Sequence, residues 1–221
     1  FEIDPATAET TLIGDFSTCD EIMALMIANT IDPAAPKAPE DFEAIFEKGA
    51  LEGKVKFTMP TKTEGDEDLS GNLSWQIDMN GNKVGEGNAA PGSEITLPVT
   101  VPQCGMTRFT AKCENAAGAG QEASLRIYIG IDTPKSPKNV SATWDGSTFN
   151  ISWDPVTESV NNGYVNFNNI HYDVFRNPGH IKIADSTDAT SCADPDINPE
   201  VLNLYYYEVV AKSDGNESAP G

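Results

Sequence analysis

Tyr207-Glu208-Val209-Val210-Ala211 stands 98 residues after Phe109-Thr110-Ala111-Lys112-Cys113, and in both stretches every second residue is apolar. That period of two places one set of side chains on a buried face and the other in solvent, as a strand requires. Working outward, the same offset links Pro36-Lys37-Ala38-Pro39 to Pro134-Lys135-Ser136-Pro137. Each proline pair stiffens the lead-in to a strand, Phe42-Glu43-Ala44-Ile45-Phe46 in one copy and Val140-Ser141-Ala142-Thr143-Trp144 in the other. Val55-Lys56-Phe57-Thr58-Met59-Pro60 matches Ile151-Ser152-Trp153-Asp154-Pro155, and Leu73-Ser74-Trp75-Gln76-Ile77 matches Ile170-His171-Tyr172-Asp173-Val174. Matched elements in one order mean two copies of one domain.

Turn chemistry agrees. Asn80-Gly81 supplies the positive φ angles of a tight type I′ hairpin. Asn115-Ala116-Ala117-Gly118 closes the Phe109 strand, and Leu125-Arg126-Ile127-Tyr128-Ile129 resumes the alternation. Residues 41–48 could be read as a short helix, but their place in the repeat predicts a strand. The 221 residues are 39% hydrophobic with 18 glycines and 15 prolines, enough for packed cores joined by many turns.

The 34 acidic residues outnumber the 14 basic ones, for a formal charge of −20. Such a surface keeps the chain soluble and repels phosphate backbones and anionic lipid, which excludes nucleic-acid partners. No apolar run reaches the length of a bilayer span, so no membrane insertion is expected. The chain opens at Phe1 and stops at Gly221 short of a last strand, and it reads as a piece of a larger protein. Cys19, Cys104, Cys113 and Cys192 lack zinc-site spacing. Cys113 falls in phase with Phe109 and Ala111 and is expected in a core. A Cys104–Cys113 bridge is the lesser alternative, since one strand would have to fold back on the other.

The second copy resembles the fibronectin type III family in three places: its Pro-x-x-Pro-x-x-Val lead-in, the strand around Trp153, and Tyr207-Glu208-Val209-Val210-Ala211. The resemblance covers residues 134–221 and implies a tryptophan between two sheets and a tyrosine anchoring the corner into the sixth strand. In the first copy Phe57 stands for the tryptophan and Phe109 for the tyrosine, so the usual corner hydrogen bond has no hydroxyl there. The connection 61–71 is long and acidic. The family implies spacers, adhesion modules, receptor ectodomains and accessory modules of secreted bacterial hydrolases.

These readings give an all-β chain: two immunoglobulin-like (fibronectin type III) β-sandwiches in tandem with a short N-terminal strand-rich segment. The expected division is 1–35, 36–132 and 133–221, with a short linker at 133–138 limiting motion. Within 1–35, three short strands are expected around Ile3, around Leu12 and over 21–28. The run Ile3-Asp4-Pro5-Ala6-Thr7 with Leu12-Ile13-Gly14 resembles part of a β-propeller blade.

No catalytic residue, cofactor site or metal site is assigned. His171 and Asp173 share a strand face, but it is the solvent face and no nucleophile motif accompanies them. The acidic run Glu64-Gly65-Asp66-Glu67-Asp68 has oxygens for calcium but lacks EF-hand spacing. Asn72, Asn139, Asn150 and Asn216 begin Asn-x-Ser tripeptides, which would matter in a eukaryotic ectodomain. Candidate ligand contacts are Tyr206, which alternates away from Tyr207, with Phe175, Tyr164 and Phe167.

The expected function is a non-catalytic spacer, adhesion or ligand-binding module of a larger secreted or cell-surface bacterial protein. Its partners would be a protein or glycan ligand, or neighbouring domains. The alternatives are an accessory region of a secreted glycan- or protein-degrading hydrolase, and a eukaryotic receptor-like ectodomain.

Overall fold

The computed structural model describes residues 31–197 and 204–221, together with the backbone of residues 2–3 and 10–11. Residues 1–30 form one compact unit and 31–221 another. In the first unit, strands β1 (Glu2–Ile3) and β2 (Thr10–Thr11) pair antiparallel. The strand expected over 21–28, and most of the blade-like stretch, lie outside the described residues.

The second unit opens with β3 (Glu40–Phe46), β4 (Glu52–Thr58), β5 (Leu73–Met79), β6 (Asn82–Ala89), β7 (Glu94–Thr100), β8 (Gly105–Asn115), β9 (Gly118–Ala119) and β10 (Ala123–Ile129). Antiparallel pairing gives one sheet in the order β3-β4-β7 and another in the order β10-β8-β5-β6, with β9 on β8. Alternation puts Val55 and Phe57 of β4, Leu73 and Ile77 of β5, and Phe109, Ala111 and Cys113 of β8 into one core between the sheets. Of the stretch 41–48, residues up to Phe46 are strand as its place in the repeat predicts, with Asp41 at positive φ where the β3–β4 register shifts. Asn80 and Gly81 take φ of 50° and 81° in the β5–β6 turn, as the hairpin requires.

The remaining strands repeat the plan. They are β11 (Ser141–Trp144), β12 (Phe149–Ser152), β13 (His171–Asn177), β14 (Ile181–Thr187), β15 (Ser191–Asp194), β16 (Tyr206–Ser213) and β17 (Asn216–Glu217). They form sheets β11-β12-β15 and β14-β13-β16-β17 around a second core of Ile151, Trp153, Tyr172, Val174, Val209 and Ala211. Both halves are therefore immunoglobulin-like sandwiches, a three-stranded sheet facing a larger antiparallel one.

The repeat extends to an aromatic pair that bridges the sheets. Phe57 meets Trp75 edge to face at 5.9 Å, and Trp153 meets Tyr172 in the same manner at 5.4 Å. The large ring has changed sheets between the copies. Gly87 makes room for Trp75, whose ring lies 2.7 Å from where a Cβ would stand. Cys104, Cys113 and Cys192 are free thiols; Cys113 is buried against Met59, as its phase predicts, and Cys104 is exposed.

Candidate functional site

Three places in the second unit carry chemistry beyond simple core packing. The first is the passage between the sandwiches. After β10 the chain turns at Gly130 and runs alongside residues 158–164 of the second sandwich. Ile131 bridges Tyr164 and Pro134 bridges Ser159, while Lys135 N–H donates to Glu158 and Val160 N–H to Thr133. At the centre the side chain of Asp132 is fully buried. Its carboxylate accepts the backbone N–H of Thr133 (2.7 Å), Asn161 (2.8 Å) and Gly163 (2.9 Å), and the Asn161 side-chain amide (2.9 Å). Its own N–H donates to Tyr164 at 2.7 Å, and its carbonyl accepts from the Asn216 amide at 3.2 Å. Burial alone would push this carboxyl up; the bonds from Asn161, Thr133 and Gly163 outweigh it and hold the group below its ordinary range.

Two glycines let the surfaces close. A Cβ at Gly163 would stand 2.3 Å from the Tyr128 ring and 2.9 Å from the Asp132 Cβ. Gly49, at φ 76°, lies under the ring of Tyr164, 3.0 Å from where its Cβ would stand. Tyr128 completes the contact by donating its hydroxyl to Ile131.

The second place is the outer face of the β14-β13-β16 sheet. Tyr206 is 57% exposed and stands opposite Asn177. Phe175 is its diagonal neighbour on the same face, half-buried under the His180 ring, which stacks on it at 4.2 Å. Lys182 approaches the same ring, and His180 also faces Glu208. Of the candidate contacts, the fold thus brings Phe175 and Tyr206 together. Tyr164 belongs to the passage between the sandwiches. Phe167 sits in a 3-10 turn (Phe167–Asn169) just before β13, roughly 20 Å along the strand from Asn177.

His171 and Asp173 do share that face, but they do not pair. His171 Nδ1 bonds Asp188 and its Nε2 meets Asn169. Asp173, expected in solvent, is 1% exposed beneath Lys182 and Lys212 and also accepts the Ser186 N–H. Among the described hydrogen bonds no hydroxyl reaches either ring nitrogen of His171. In the acidic run, Asp66 pairs with Lys37 and Asp68 with Lys62, so two of its carboxylates are already engaged.

The third place was not anticipated. Arg176 follows Tyr172 and Val174 on the core phase of β13, and its Nη1 donates to both oxygens of the fully buried Asp194, at 2.8 and 2.9 Å. The Tyr207 hydroxyl donates to the same carboxylate at 3.1 Å. The tyrosine expected to anchor the corner into the sixth strand therefore bonds a carboxylate at the end of β15. A charged residue at a core phase was the available signal, because such a group needs a buried counter-charge.

No known family model matches the chain, and no curated protein matches it. Among solved structures it is similar to the FN1–FN3 domains of chicken CNTN1, with 17% identity over 86% of this chain and 67% of that one and a TM-score of 0.33. It is also similar to the central fibronectin-III array of RIM-binding protein, with 15% identity over 83% and 61% and a TM-score of 0.32. A third is the spore cortex lytic enzyme SleM of Clostridium perfringens, with 11% identity over 42% and 28% and a TM-score of 0.33. The strand order and the two cores described above are what carry the fold assignment.

Proposed function

We propose that the chain is a non-catalytic spacer and interaction module, fibronectin type III-like, within a larger secreted or cell-surface bacterial protein. Its two sandwiches, taken as 36–132 and 133–221, hold neighbouring domains at a set distance and angle. The observation that carries this reading is the buried Asp132 carboxylate, which accepts hydrogen bonds from Thr133, Asn161 and Gly163 across the passage between the copies. A loose tether would leave such a carboxylate in water; here its bonds are charge-assisted and fix both position and direction. A flexible linker suits independent domains, whereas a spacer gains from few relative orientations. Partners are a protein or glycan ligand, or adjoining domains.

Residual dipolar couplings of the two sandwiches test it. One alignment tensor should fit both sets of amides. Two tensors of unequal magnitude would remove the spacer reading.

A further inference from the structure

The connection that receives Asp132 also builds a groove. Residues 161–164 are bound at the passage, and the chain then runs directly into the Phe167–Asn169 turn. Between that turn, the stretch 155–157 and residues 188–190 lies an open cavity of about 390 Å³. Phe167 lines it with 39% of its surface exposed, and Val156 is fixed beneath by a hydrogen bond from its N–H to the Tyr172 hydroxyl. Asn169 and Asp188 are held in place through the two nitrogens of His171, and Thr190 adds a hydroxyl.

We propose that this groove binds a neutral oligosaccharide, with Phe167 as the stacking platform. A pyranose offers an apolar C–H face and a rim of hydroxyls that both donate and accept. The groove supplies the complement: an aromatic face, an acceptor-only carboxylate at Asp188, and an amide and a hydroxyl that do both at Asn169 and Thr190. Its lining contains no lysine or arginine, both nitrogens of its histidine are engaged by Asp188 and Asn169, and the chain carries a formal charge of −20, so an anionic ligand finds little counter-charge there. The cavity is open to solvent, which suits a sugar laid against it better than an enclosed small molecule. The inference rests on the interaction-module reading above but not on the rigidity of the passage.

The test is calorimetric titration of the intact chain with cellohexaose, N-acetylchitohexaose and mannohexaose, with a polygalacturonate fragment as the anionic control. Amide chemical shifts locate the site. Saturable binding of at least one neutral sugar is expected, with shifts at Asn168, Asn169, His171 and Thr190. Phe167→Ala should weaken it about tenfold or more, Asp188→Asn by a smaller factor, and Tyr206→Ala not at all. Asn168→Ala, at an exposed rim position, serves as a second probe that leaves the fold untouched. Absence of saturable binding, tighter binding of the anionic control, or shifts centred on Tyr206 would each overturn the proposal, as would saturable binding of a protein partner to this groove in place of sugar. Failure here with a single alignment tensor leaves the spacer reading standing, while sugar binding with two unequal tensors removes the spacer reading alone.

Discussion

Gly163 donates its backbone N–H to the Asp132 carboxylate at 2.9 Å, bonding a loop of the second sandwich to the residue where the first one ends. A glycine is needed there because any Cβ would strike the Tyr128 ring. The bonds that join the two copies thus rest on a few groups, each of which can be replaced without touching either core.

Asp132→Ala should lower the stability of the second sandwich by about 1–3 kcal/mol, since it removes the charged acceptor of the Asn161 and Gly163 donors. Its two sets of dipolar couplings should then no longer fit one tensor. The pH dependence has a definite sign. The folded carboxyl titrates below its ordinary value of 3.8, because hydrogen bonds overcome the opposing effect of burial. Its contribution is complete above that value and is lost as pH falls through the depressed one. Dipolar couplings recorded down the acid limb should show the passage loosening only there.

Acid should also unfold the two sandwiches unequally. Burial would push Asp173 up, but bonds from Lys212, Ser186 N–H and Lys182 hold it well below the usual carboxylate range. Its stabilisation is therefore full at neutral pH and disappears as acid protonates it. Among the described residues the first sandwich has no buried charge apart from Asp132 at its end, while the second has Asp173, Arg176 and Asp194. Amide signals of 133–221 should be lost at a higher pH than those of 36–131.

Asp194→Ala should cost about 3–5 kcal/mol, because it leaves the Arg176 guanidinium buried without its partner. Replacing both, Arg176→Met with Asp194→Leu, should cost much less. Tyr207→Phe should cost about 1 kcal/mol. Burial, and then the Asp194 charge, raise the Tyr207 phenol well above its ordinary 10.0, so its contribution is complete below that pH and is lost as pH climbs toward the raised value. Urea unfolding of the variants, with tyrosine absorbance followed in alkali, checks both statements.

Thiol modification should follow exposure. Among the described cysteines Cys104 is on the surface and should react with iodoacetamide before Cys113 and Cys192. Burial pushes the Cys113 thiol up to about 12, and burial with the Asp194 charge pushes Cys192 up to about 11. Both should stay protected until the chain unfolds. Peptide mass spectrometry after timed quenching reads the order; early labelling of Cys113 would contradict the buried placement.

The strands and cores were legible in the sequence because period-two alternation is local: Phe57, Phe109, Trp153 and Val209 each announce their face through their immediate neighbours. The asymmetry between the copies was partly legible, as Phe57 against Trp153. That Trp75 would restore the lost ring from the other sheet was not, since it depends on Gly87 across the strand pair. His171 and Asp173 show the limit of the same-face rule, which names neighbours along a strand but not across it. Lysines from β14 and β16 take Asp173, and Asp188 from beyond β14 takes His171. Asp132 was the hardest to find. Its partners at 161, 163 and 164 lie in a connection without periodicity and Asn216 in the two-residue β17, so no pattern near Asp132 points to them.

The sequence repeat invites a cut between residues 132 and 133 to express the copies separately. That cut would hand the carboxylate to one fragment and the amides of Asn161 and Gly163 to the other, leaving each half with a wound the intact chain does not have. A second sandwich begun at Ile131 would keep its own lock, and one begun at Thr133 would be a poorer witness to how the protein behaves.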